Sequence, residues 1–182
     1  MTPEGGLHTA LVVAVPEAAR VVDGWRERTS EAKPSAGVPA HVTVLSPFVA
    51  PSTVDEPLLE DLRALISAFE RFTFSLDAIA RFASLLYLVP RPAEPFARLT
   101  GAVWRAYPDY PPYGGDFDTV IPHLTAAEGE QEVLDEAEAD IRRSLPITAQ
   151  ATEVVLLEEL EPSSARWRAR DVLPLGDACE QS

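Results

Sequence analysis

The sequence predicts an α+β protein made of two similar halves. Three observations carry that reading. Apolar, β-branched runs alternate with helix-spaced apolar stripes along the chain. The same order of elements is met twice, and a His-x-Thr tripeptide stands at matching points of each half, at 41–43 and 123–125. A pseudo-twofold arrangement of two lobes follows, and no linker-like composition divides them, so residues 1–182 are expected to form a single domain.

Residues 7–15 (LHTALVVAV) read as a buried strand. Pro16 suits the first turn of a helix whose apolar face is Ala18, Val21, Val22 and Trp25. A polar loop over 29–40 leads to a second strand from His41 to Val49. Ser52 with Asp55, and Thr53 with Glu56, have capping-box spacing before a stripe of Leu58, Leu59, Leu62, Leu65, Ile66 and Phe69. Residues 72–83 then alternate as a strand. The order restarts with strand 85–89 and Pro90, matching the Val15–Pro16 junction, and a helix bearing Phe96, Leu99, Val103 and Trp104 on one side. An aromatic loop over 107–118 precedes a short strand around His123. A helix from about Glu130 to Leu145 follows, with acids first and Arg142–Arg143 last, as the helix dipole favours. Strands at about 147–151, 153–160 and 165–173 close the chain.

Composition excludes several classes. Cys179 is the only cysteine, so disulfide scaffolds, zinc ribbons and CxxC redox chemistry are out. No apolar run approaches the roughly 20 residues that span a bilayer. Residues 1–6 (MTPEGG) lack the basic start of a secretory signal, so a cytoplasmic protein without membrane partners is expected. The net charge is −14, with eight cations against eleven acids in 1–91 and seven against eighteen in 92–182. Coating a duplex requires a broad basic footprint, so duplex DNA is not an expected partner. Nucleic-acid contact is limited to a small nucleotide or a strand end, bound by a monomer.

Side chains at i and i+2 of a strand share a face. His41 therefore projects with Thr43, and His123 with Thr125, while Val42, Val44 and Leu124 turn into the core. A twofold arrangement can bring both faces to one cleft. Imidazoles titrate near neutrality, so one of a pair can act as base while its partner acts as acid. Hydroxyls donate to phosphate oxygens where negative charge accumulates.

These residues, His41-Val42-Thr43-Val44 within HVTVLSPF and His123-Leu124-Thr125-Ala126 within IPHLTAA, resemble the 2H phosphoesterases, the 2′-5′ RNA ligase-like or cyclic phosphodiesterase family. The resemblance covers nearly the whole chain. It implies two antiparallel sheets flanking a central cleft, with helices packed outside. It also implies metal-independent, cofactor-free chemistry on 2′,3′-cyclic phosphates or 2′,5′ phosphodiesters. Both histidines would be catalytic, with His41 as acid and His123 as base in ring opening, and Thr43 and Thr125 would bind phosphate. Many relatives place a basic residue soon after the second motif, where this chain has Ala126, Ala127 and Glu128. That departure and the acidic second half favour a nucleotide or short RNA terminus as substrate. A non-catalytic nucleotide or RNA-end binder is the alternative function.

Further candidates for substrate contact are Phe48, Tyr87, Tyr113, Arg81 and Trp167. Tyr110, Tyr113 and Phe117 lie in a loop where a ring can stack on a base. Arg166, Arg168 and Arg170 share one face of the last strand, opposite Trp167, as an edge strand that resists pairing would. Asp116, Asp118 and His123 form a weaker metal-site alternative, since Asp-x-Asp beside Gly114-Gly115 is common turn chemistry.

Overall fold

A computed structural model describes residues 6–29, 37–116, 120–161 and 166–177. Its strands are β1 (Thr9–Ala14), β2 (His41–Leu45), β3 (Phe72–Phe82), β4 (Leu85–Arg91), β5 (Leu124–Glu128), β6 (Ile147–Ala151), β7 (Glu153–Glu161) and β8 (Arg166–Pro174). Its helices are α1 (Pro16–Thr29), α2 (Glu56–Ser67), α3 (Glu94–Ala106) and α4 (Gln131–Arg142). The fold is α+β, as the alternation of periods predicts.

The strands form one antiparallel sheet in the order β6-β3-β4-β5-β2-β1-β7-β8. Two sheets were expected. The two four-stranded half-sheets, β6-β3-β4-β5 and β2-β1-β7-β8, instead join at a single pair, Val42 with Leu124. Each half of the chain runs strand, helix, strand, helix, and later sends one strand across, β3 from the first half and β7, which follows β6, from the second. β3 pairs with β4 of the second half, and β7 pairs with β1 of the first. Swapping β1 for β4, β2 for β5, β7 for β3 and β8 for β6 maps one half-sheet onto the other.

All four helices contribute to one core with one face of the sheet. Ala18 and Val22 of α1, Leu62 and Ile66 of α2, Phe96 and Leu99 of α3, and Leu134 and Ile141 of α4 are all buried there. They meet Leu11, Val13, Val42, Val44, Leu86, Leu88 and Leu124 from the strands. Each such large side chain contributes about 1.5–3 kcal/mol by leaving water. Because strand faces alternate, the residues between these valines and leucines are left on the helix-free face.

Three details differ from the sequence reading. Pro90 lies inside β4, paired with Leu76, so it does not open a helix. The counterpart of Pro16 is Pro95 in the first turn of α3, at the same offset as Trp25 and Trp104. Trp104 is 45% exposed, and Thr100 takes the inward position instead, its hydroxyl donating to the Val44 carbonyl at 2.7 Å. Asp55 alone caps α2, accepting from the Leu58 N–H at 3.0 Å, while Ser52 and Thr53 lie in a preceding 3-10 turn. Among the described residues no helix is long and apolar enough to cross a membrane.

Candidate active site

β2 and β5 bring the two tripeptides together. In an antiparallel ladder, the pairing of Val42 with Leu124 sets Thr43 opposite His123 and His41 opposite Thr125, one residue to either side. Val42 and Leu124 are fully buried on the helical face. The two histidines and two threonines therefore belong to the other face, across the seam between the half-sheets. His123 itself stands immediately before β5.

Each imidazole is fixed in the same way. His41 Nδ1 lies 2.7 Å from the carbonyl of Pro39, and His123 Nδ1 lies 2.7 Å from that of Ile121. A carbonyl can only accept, so Nδ1 carries the proton in both rings. Nε2 is then the atom left for proton exchange. Burial pushes the pKa of His41 from its ordinary value of 6.5 down to about 4. The Pro39 hydrogen bond opposes this fall, and electrostatic interaction with Arg26 and with the His123 ring adds to it. Arg26 is held by Asp23 at 2.9 Å and donates to the Val38 carbonyl at 3.2 Å. Val38 packs with Trp167 over Ala10, Val12, Val155 and Leu157. Gly37 lets this segment in: its φ is +93°, and a Cβ there would lie 2.0 Å from the Trp167 carbonyl oxygen.

The second half is open where the first is covered. A pocket of about 230 Å³ beside His123 is lined by Phe82, Leu85, Tyr87, Tyr113, Val120 and Ile121. Tyr87 is the register partner of Thr125, and its ring meets His123 edge-on at 5.3 Å. Tyr113 lies nearly parallel to His123, at 6.2 Å and 22°. Burial pushes its pKa up, and the nearby Thr43 side chain opposes this. A larger depression of about 610 Å³, lined by Glu17, Arg20 and Ser144 among others, contains neither motif.

Tyr87 and Tyr113 are thus at the site, while three other expected contacts are elsewhere. Phe48 is buried in the core against Tyr107 and Tyr110, at ring distances of 5.2 and 5.3 Å. Arg81 pairs with Leu86 in register and so faces the helices, where Glu138 and Asp135 of α4 hold it at 2.6 and 2.7 Å. Trp167 lies on the same side of the sheet as the first motif, but it packs on His8 at 5.1 Å within the covered apolar cluster. Arg168 and Arg170 both bind the buried Glu158 on the opposite face. Phe82 and Ile121, 60% and 56% exposed, are pocket residues that sequence reasoning missed. The alternation of β3 could have located Phe82, two residues beyond Ala80, the partner of Tyr87. Phe117 and Asp118 lie outside the described residues, and among those described no three His, Cys, Asp or Glu side chains converge as a metal site would need.

The match to known families decides the kinship. Residues 14–162 fit the model of the 2′-5′ RNA ligase superfamily. The chain belongs to that superfamily, a group of phosphoesterases and ligase-like enzymes. Solved structures share this 2H phosphoesterase fold. E. coli LigT complexed with 3′-AMP is 17% identical, with a TM-score of 0.56 over 94% of this chain and 99% of its own. A structure described as a phosphoesterase is 17% identical, with a TM-score of 0.58 and the same coverage. TT0787 of Thermus thermophilus is 20% identical, with a TM-score of 0.57 over 93% of this chain and 98% of its own. No curated protein matches the chain in sequence.

Proposed function

We propose that this superfamily member is a metal-independent phosphodiesterase that opens 2′,3′-cyclic phosphates or cleaves 2′,5′ linkages at nucleotide or RNA ends. The observation that carries the reading is the register at the seam, which gathers two imidazoles of the same tautomer and two threonines on one face. In ring opening, His123 Nε2 takes a proton from water, whose oxygen bonds to phosphorus. The bond from phosphorus to the ribose 3′ oxygen breaks, and His41 Nε2–H gives that oxygen its proton. The products are a 2′-phosphate and a 3′-hydroxyl, and the two histidines have exchanged protonation states. Thr43 and Thr125 donate to the non-bridging oxygens.

The low basicity of His41 suits an acid that is charged only when substrate is present. In the empty cleft burial keeps the ring neutral. A phosphate's negative charge acts against that burial, and an imidazolium in such surroundings gives up its proton readily. The apolar pocket beside His123 would take the nucleoside, its rings supplying a stacking surface. The structures of E. coli LigT with 3′-AMP, ATP and NADP+ support a nucleotide-sized ligand. Turnover of 2′,3′-cyclic nucleotides and 2′,5′-linked dinucleotides by the purified protein tests the reading. Tight binding of these compounds without turnover would establish the binder instead.

A further inference from the structure

The two imidazoles take the same kind of partner, but the surroundings of those partners differ. The Pro39 carbonyl that accepts from His41 lies within the segment 37–40, which is tied down on both sides of it. Gly37 lies against the Trp167 backbone, the Val38 carbonyl accepts from Arg26 Nη2 at 3.2 Å, and the Ala40 carbonyl accepts from the Val15 N–H at 2.8 Å. Arg26 is itself braced, for its Nη1 meets Asp23 Oδ1 at 2.9 Å one turn back on α1 and its side chain is largely buried. The counterpart of Arg26 in the second half is Arg105, which follows Trp104 as Arg26 follows Trp25. Arg105 is exposed and has no partner among the described residues, and Ile121, whose carbonyl holds His123, is exposed too.

We propose that Arg26 is a positioning residue for His41: by holding the Val38 carbonyl it fixes the Pro39 carbonyl, which selects the tautomer of the ring and aims Nε2 into the cleft. Its part in catalysis rests on the reading of the cleft as a phosphoesterase site. A neutral imidazole can carry its proton on either nitrogen, and the hydrogen bond at one of them decides which. A single carbonyl at 2.7 Å makes that choice for His41. Between the Val38 and Pro39 carbonyls lie only two backbone dihedrals, φ and ψ of Pro39, and the proline ring locks φ. The bond from Val15 to the Ala40 carbonyl restrains the far side, so the grip of Arg26 on Val38 is passed to the Pro39 carbonyl with little slack. Without that grip the bond to Nδ1 lengthens, and nothing else selects the Nδ1–H form.

Arg26→Met keeps an apolar stem and removes the donor. Nitrogen NMR of the neutral rings should show His41 moving from the Nδ1–H form toward the Nε2–H form, while His123, the internal reference, keeps its shifts. With a 2′,3′-cyclic nucleotide, kcat should fall about 10- to 100-fold and KM stay within about twofold, because the ring is displaced and the phosphate contacts are not. Arg26→Lys, which can still donate to the Val38 carbonyl, should restore most of both readings. Unchanged His41 shifts in Arg26→Met overturn the proposal, as does an equal change at both rings, which would mean a general loosening of the fold. Should Arg26→Met not fold, the same two outcomes decide on Asp23→Asn, which weakens the brace and leaves the arginine in place. Ring shifts are read without turnover, so these outcomes stay distinct from a failure of the enzymatic reading. That failure shows instead as a wild-type protein with no activity.

Discussion

Val42 of β2 pairs with Leu124 of β5, and among the described strands no other residues pair across the two half-sheets. Each stands one position after a histidine and one before a threonine. A backbone contact between two buried hydrophobic residues therefore sets the spacing of all four polar groups on the reverse face.

Replacing either histidine should abolish turnover without unfolding the protein. His41→Ala and His123→Ala are each expected to lose about 100- to 10,000-fold in kcat with a cyclic nucleotide. Their circular dichroism and thermal midpoints should stay close to wild type. EDTA should leave wild-type activity intact. Full activity in His123→Ala, or loss in EDTA that zinc or magnesium restores, refutes the two-histidine mechanism.

His41 gives stability a pH dependence. Its pKa is about 4 in the folded chain and near 6.5 when unfolded, so between these values the unfolded state binds more protons. Its contribution is complete above about pH 6.5 and is lost as pH falls toward 4. Urea unfolding across this window should show a shallower pH dependence for His41→Asn than for wild type. In the same window inorganic phosphate should raise the NMR titration midpoint of His41. A midpoint unmoved by phosphate contradicts the role assigned to substrate charge.

Arg81→Met tests the placement of that arginine on α4. Its partners Glu138 and Asp135 belong to the helical side, so KM for a cyclic nucleotide should stay within about twofold of wild type. A tenfold rise in KM would place Arg81 in the cleft after all.

Thr100→Val removes the hydroxyl that donates to the Val44 carbonyl behind β2. The shape is kept and the hydrogen bond is lost, which should destabilise the fold by about 1 kcal/mol in urea unfolding. No change would show that this carbonyl needs no donor from α3.

Helix and strand positions were legible because their periods differ: Leu59, Leu62 and Ile66 mark one face of α2, and Val42 and Val44 one face of β2. The tripeptides were legible for the same reason, since a two-residue spacing on a strand means a shared face. Orientation was harder near the cleft. β3 has apolar residues on both faces, Ile79 toward the helices and Phe82 toward the pocket, so periodicity could not say which way Arg81 points. Phe48 follows the first motif closely, yet the chain has already turned inward there, its N–H bonded to the Thr9 carbonyl at 2.8 Å. The carbonyls of Pro39 and Ile121, which set both imidazoles, are backbone groups and leave no mark in a sequence.

The exchange of β3 and β7 means that the two repeats interlock. A polypeptide cut between β3 and β4 would yield an amino-terminal piece with no mate for the free edge of β1, and a carboxy-terminal piece lacking the strand that separates β4 from β6. Each fragment would leave strand edges of its half-sheet unpaired, so the two imidazoles come together only where both pieces do.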